Sequence, residues 1–132
     1  MLKDLVSFLE GNAGIQAAGV TKAYPLLVPQ KATLPAICYK QTSHEFDYVM
    51  EGDSHYHKAT VSLAIGALTY DAVTKAGNAV IAALSGYKGT MGSTRIESIF
   101  VKDEADDLVI SDTNEQQRVF GKEIEIEITY SV

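Results

Sequence analysis

Three glycines, Gly86, Gly89 and Gly92, fall three residues apart in SGYKGTMG, with Lys88 and Thr90 between them. Glycines, a lysine and a hydroxyl are the parts of a phosphate cradle, in which a strand leads through glycines into a helix N-terminus whose free amides face the anion. The order here is reversed. A helical pattern ends at Leu84, the glycines follow, and a strand pattern starts at Arg95. The loop therefore meets the carbonyl end of a helix, and Lys88 lacks the G-x-x-x-x-G-K-[ST] spacing. The expectation is a turn, with Gly86 stopping the helix and Gly89 and Gly92 permitting positive φ on the way to the next strand.

A second cluster is His44, His55 and His57, in one segment with Glu45, Asp47, Glu51 and Asp53. His55 and His57, two apart, would face the same way on a strand and could supply two zinc ligands. A third would have to come from Asp53 or a neighbouring chain. The plainer alternative is a solvated polar loop in which the histidines are incidental. Cys38 stands in an apolar strand pattern without the base and helix N-terminus that would make it a nucleophile, so a buried structural cysteine is expected. There is no Ser-His-Asp elbow, no HExxH and no dinucleotide fingerprint. The chain is therefore expected to be no enzyme, with no cofactor and no catalytic or resident metal site.

The 132 residues suit a single domain, 1–132, large enough for one core. Hydrophobic residues are 46% and charged residues 21%, a globular composition. No apolar run approaches the roughly 20 residues of a membrane span, and MLKDLVSFLEG, with Asp4 and Glu10, is expected not to be a signal peptide. A single cysteine excludes an internal disulfide. The formal charge is −6, and six acids with no base lie between Asp103 and Glu115. Such a chain is poorly suited to gripping nucleic-acid phosphates, though like charge would let DNA slide past.

The elements that must hold these residues follow from periodicity. Leu2, Leu5, Val6 and Leu9 mark an amphipathic helix ending at Gly11 or Asn12, with a short turn closed by Gly19 after it. Pro25, Pro29 and Pro35 punctuate an extended stretch, which suits an edge but not a central strand. A strand is expected at 36–42, an exposed hairpin loop at 43–54, and a strand at 57–68 whose Val61, Leu63 and Ile65 face a core. Thr69 is a suitable N-cap for the best-defined helix, where Tyr70, Val73, Gly77, Val80, Ile81 and Leu84 repeat with helical period. A strand at 95–103, an acidic connection at 104–117 and a final strand at 118–130 complete the chain. The fold class is α+β: a largely antiparallel sheet with one long helix packed on it and a shorter N-terminal helix.

The final strand alternates strictly, with Ile124, Ile126, Ile128 and Tyr130 on one face and Glu123, Glu125 and Glu127 on the other. Like charges in a row need water or cross-strand cations, which Lys58, Lys102 or Arg95 could supply. The face is either a solvated sheet surface or one turned toward a lumen or a subunit interface.

Taken in order, these segments resemble the tail-completion and tail-terminator proteins of long-tailed phages and their gene-transfer-agent and prophage relatives. YPLLVPQKATLPAICYK resembles the family's opening strands. HKATVSLAIGALTYDAVTKAGNAVIAALSGYKGTMG resembles its alternating strand, its alanine-rich helix starting near Tyr70 and running through Ala82–Leu84, and its turn at Gly86, Tyr87, Gly89 and Gly92. Asp103, Glu104, Asp107, Thr113 and EIEIEITY stand where the family has acids, a loop threonine and a last amphipathic strand. The resemblance covers nearly the whole chain and departs from the pattern in SHEFDYVMEGDSHYH.

The resemblance implies a virion structural protein: a homo-oligomeric ring, commonly a hexamer in this family, on the head-proximal end of the tail tube. The ring stops tube growth and joins the tail to the head connector or head-completion protein. Its partners would be itself, the tail tube protein and the connector, with no membrane and no sequence-specific nucleic-acid binding. DNA would pass through its lumen. It would reside in the virion and, during assembly, in the host cytoplasm. On this basis His44, Glu45, Phe46, Asp47, Tyr48, Glu51 and Asp53 are candidate oligomer or partner contacts, and Glu123, Glu125 and Glu127 a candidate lumen face. Alternatives are a head-closure or neck protein, a small metal-binding module using His44, His55 and His57, and an enzyme using Cys38 or the histidines.

Overall fold

The computed structural model describes residues 2–25, 35–49, 52–110 and 118–131. The chain runs α1 (Leu2–Gly11), α2 (Ala13–Ala17), β1 (Ala23–Pro25), β2 (Ala36–Val49), β3 (Gly52–Ala67), α3 (Tyr70–Leu84), β4 (Gly89–Met91), β5 (Thr94–Ile110) and β6 (Arg118–Ser131). The six strands form one sheet in the order β1-β2-β3-β6-β5-β4. β1 pairs parallel to β2 and every other pairing is antiparallel, so the sheet is mixed but largely antiparallel, as expected.

Local chemistry explains the helices. Asn12 caps α2, its side chain accepting from the Ile15 amide at 3.1 Å. Thr69 caps α3 in the same way, accepting from the Ala72 amide at 3.1 Å, with Asp71 in the first turn. Gly86 ends that helix at φ +75°, and Gly89 and Gly92 also have positive φ. The SGYKGTMG segment is thus a helix stop at its start and the first residue of a tight β4–β5 turn at its end, but Gly89–Met91 between them, expected as turn, is the short strand β4. The helix expected to be long is 15 residues, roughly four turns, and all three helices are short. AGIQA, expected as a turn, is a helix of five residues.

The helices cover one face of the sheet. Leu5 and Leu9 of α1, Ile15 of α2 and Val73, Ala76, Val80 and Leu84 of α3 bury against Val61, Leu63 and Ile65 of β3, Ile96 and Ile99 of β5, and Ile124, Ile126 and Ile128 of β6. The opposite face carries no helix among the described residues. Pro25 sits on the edge strand, where a missing amide costs little; Pro29 lies outside the described residues. No described helix is long and apolar enough to cross a membrane.

Two expected loops are strand. Within 43–54 the described residues are strand, not loop: β2 runs on through Val49 and β3 begins at Gly52, with Phe46 opposite His57 and Tyr48 opposite Asp53. The acidic 104–110 stretch continues β5, with Glu104 opposite Ile124 and Asp106 opposite Lys122. Backbone pairing with a neighbouring strand holds both in place, while Ser43, Glu45 and Asp47 in one and Glu104, Asp106 and Asp107 in the other obscure the alternation that marks a strand. Residues 111–117 of the acidic connection, Thr113 among them, lie outside the described residues.

Candidate functional site

Three regions gather polar side chains. The first lies on the β2–β3 hairpin, beyond the helix-covered core. The register puts His44, Phe46 and His57 on the helix-bearing face, and Tyr130 of β6 stands beside them. His44 Nε2 is 3.1 Å from His57 Nδ1 and 3.0 Å from the Tyr130 hydroxyl. Phe46 stacks on His44, with centroids 4.2 Å apart and planes 23° apart, and meets His57 edge-on at 4.9 Å. Tyr130 stacks on His57 at 5.4 Å. His44 is exposed, whereas His57 and Tyr130 are 7% and 6% exposed. Burial pushes the Tyr130 phenol above its usual pKa. Beside this cluster an open cleft of about 350 Å³ is lined by Glu45, Phe46, Tyr56, His57, Lys58 and Thr129.

The structure therefore pairs His57 with His44 across the hairpin. The side chain of His55, the expected partner, lies outside the described residues, as do those of Asp47, Tyr48 and Asp53 and the whole of Glu51. No group of three His, Cys, Asp or Glu side chains converges among the described residues. Tyr130 was expected only as one of a row of core residues. Its place opposite His57 in the β3–β6 register is what brings it to the histidines, and nothing in the sequence alone fixes that register.

The second region is the open sheet face. Glu123, Glu125 and Glu127 share it as expected, and two of the three suggested cations meet them. Lys58 lies 3.7 Å from Glu127, and Lys102 lies 3.8 Å from Glu125 and 3.7 Å from Glu127. Ser62 donates to Glu123 at 2.9 Å. Arg95 instead pairs with Glu97 at 3.1 Å. These are exposed pairs of small individual worth, about 0–1 kcal/mol. Cys38, expected to be buried, is half-buried on this same face, opposite Ala64. Desolvation raises its thiol pKa, which disfavours the nucleophilic thiolate.

The third region surrounds Lys122, a buried cation that no expectation named. Its stem lies against Gly77 of α3, where an added Cβ would sit 2.7 Å from Lys122 Cδ. Its ammonium reaches Glu104 at 3.0 Å and Asp106 at 3.5 Å, and Asp106 accepts from the Tyr70 hydroxyl at 3.0 Å. The hydrogen bond to Glu104 raises the Lys122 pKa against the opposing effect of burial. The signal was present in the sequence: Lys122 stands in phase with Ile124, Ile126 and Ile128. The group ties β5 and β6 to α3 and has no open cavity beside it among those described.

The comparisons bear on the fold. No family model matches the sequence, and no curated protein matches it. The fold is similar to that of a chain in a structure described as the virion of a native gene transfer agent (GTA) particle, with a TM-score of 0.63. The superposition covers 96% of this chain and 89% of that one at 16% sequence identity. A likeness at this identity is one of fold.

Proposed function

We propose that the protein is a structural component of a phage-like particle: a tail terminator that closes the head-proximal end of the tail tube as a ring of six copies and presents a surface to the head connector. The observation that carries this reading is the end-to-end match, over 96% of the chain, to a chain of a gene transfer agent virion. It agrees with the resemblance in the sequence. The absence of a family match leaves the resemblance and the fold as its two supports.

The surface suits head-to-tail assembly. The β2–β3 arm exposes Phe46 (52%) and Tyr56 (49%), while Leu68 and Tyr70 are exposed just past the other end of β3, about 40 Å away at strand rise. Exposed apolar side chains at opposite ends of one strand are what a heterologous, ring-forming contact needs. In this reading His44, Glu45, Phe46, Asp47, Tyr48, Glu51 and Asp53 belong to the arm that reaches a neighbour. The open sheet face with Glu123, Glu125 and Glu127 turns toward the lumen, where anionic side chains let DNA pass without adhering. Tube protein and connector are the other partners, in the virion and in the host cytoplasm as it assembles. A head-closure or neck protein is the nearest alternative, and it would purify with the head side of the joint.

The test is native mass by light scattering across a concentration series with negative-stain imaging, alone and mixed with tail tubes. Rings alone, or capped tube ends after mixing, are expected. Phe46→Ser with Tyr56→Ser should lower assembly without unfolding the chain. A monomer that leaves tube ends uncapped would sink the terminator reading. Within assembled particles, replacing Glu123, Glu125 and Glu127 by Gln should slow DNA ejection while rings still form, and normal ejection would remove the lumen assignment.

A further inference from the structure

On the β2–β3 arm one histidine nitrogen is shared between two neighbours. His44 Nε2 lies within hydrogen-bonding distance of two atoms, His57 Nδ1 at 3.1 Å and the Tyr130 oxygen at 3.0 Å. A ring nitrogen has either one proton or one lone pair. If His44 Nε2 carries the proton, it can donate squarely to only one neighbour. If it carries the lone pair, it can accept squarely from only one. Three atoms that can each offer a lone pair to a metal lie together here.

We propose that this cluster is a divalent transition-metal site, with zinc its natural occupant, ligated by His44 Nε2, His57 Nδ1 and the Tyr130 oxygen. A metal ion in the place of the shared proton takes a lone pair from each of the three. The tautomers follow: His44 keeps its proton on Nδ1, His57 keeps its proton on Nε2, and the tyrosine proton passes to solvent. Tetrahedral zinc at about 2.0–2.1 Å from nitrogen sets its ligand atoms about 3.3 Å apart. The observed 3.1 and 3.0 Å fall only a few tenths of an ångström short. Phe46 stacked on His44 and Tyr130 stacked on His57 hold the rings in this arrangement, as fixed ligands require. His44 is exposed, so a fourth position is open to water. Two imidazoles suit zinc, copper and nickel rather than calcium or magnesium.

All three ligands come from one chain, so the site does not depend on ring formation. The experiment uses chelator-treated full-length protein titrated with Co²⁺ and then Zn²⁺, followed by visible absorption, calorimetry and thermal unfolding. One metal per chain, a cobalt d–d band displaced by zinc, and a raised Tm are expected. His44→Gln, at an exposed position that should not disturb folding, should weaken binding by roughly tenfold to hundredfold or more. Tyr130→Phe should change the cobalt spectrum while both imidazoles stay in place. Absence of cobalt absorption and of any zinc shift in Tm would overturn the site, as would unchanged affinity in His44→Gln with native circular dichroism.

Discussion

At the scale of single residues, the glycine turn that first suggested a phosphate site has a structural task that can be measured. Gly92 has φ +60°, and an added Cβ would strike the Asp4 carboxylate of α1. Gly86 also has positive φ, but open space surrounds its missing Cβ. Gly92→Ala should therefore cost at least about 2 kcal/mol, from backbone strain and overlap together. Gly86→Ala should cost only about 1 kcal/mol of strain, and equal losses in denaturant unfolding would refute this account. Asp4 accepts from Thr94 and Ser93, joining α1 to the β4–β5 turn. The hydrogen bond from Thr94 is the main cause of its lowered pKa. A depressed carboxylate stabilises the fold above its unfolded value and loses that contribution as pH falls through the folded one. The stability of the native chain should thus decline below the ordinary value of 3.8, more steeply than that of Asp4→Asn, in unfolding curves taken between neutral and acid pH. Parallel declines would show that Asp4 carries no linkage.

At the scale of elements, α3 on the sheet depends on a small residue facing a long one. Gly77 leaves room for the Lys122 stem, whose ammonium is held by Glu104 and Asp106. Gly77→Ala gains about 1 kcal/mol of helix propensity, but the tethered lysine cannot move aside freely. A net loss of about 1–2 kcal/mol is expected, and a stabilised variant in thermal unfolding would show that the stem yields. Helix boundaries were legible in the sequence because capping is local: Thr69 and Gly86 mark α3 wherever it packs. The Glu123, Glu125, Glu127 face was legible because its partner face is apolar. The arm at 43–54 and the 104–110 part of β5 were not, since their acidic residues break the clean polar–apolar alternation of a strand. β1 was legible only as an extended edge segment: its parallel pairing with β2 is a tertiary event with no local signal. Of the candidate site, the residue types His44 and His57 were visible, but their pairing and the approach of Tyr130 required the hairpin and the β3–β6 register.

At the scale of the whole molecule, the two outermost strands are very short. β1 covers only Ile37–Tyr39 of β2, and β4 covers only Thr94–Ile96 of β5. The irregularities in the ladder fall between β2 and β3 and between β5 and β6, and the central pairing of β3 with β6 has none. Thr42, Glu97 and Lys102 are residues passed over at these shifts. Bulges twist a strand, and charged residues placed at them discourage a second chain from adding to its edge. Deleting Thr42 would restore an even register from Gln41 to Ser43 against β3. The shortened chain should keep its fold yet scatter light increasingly with concentration, and unchanged scattering would show that the kink has no protective effect. The proposed assembly role gives this a practical meaning. In that reading, one extra residue here and one there keeps a sheet with long outer edges from adding copies to itself, so free subunits wait in solution until the right surface appears.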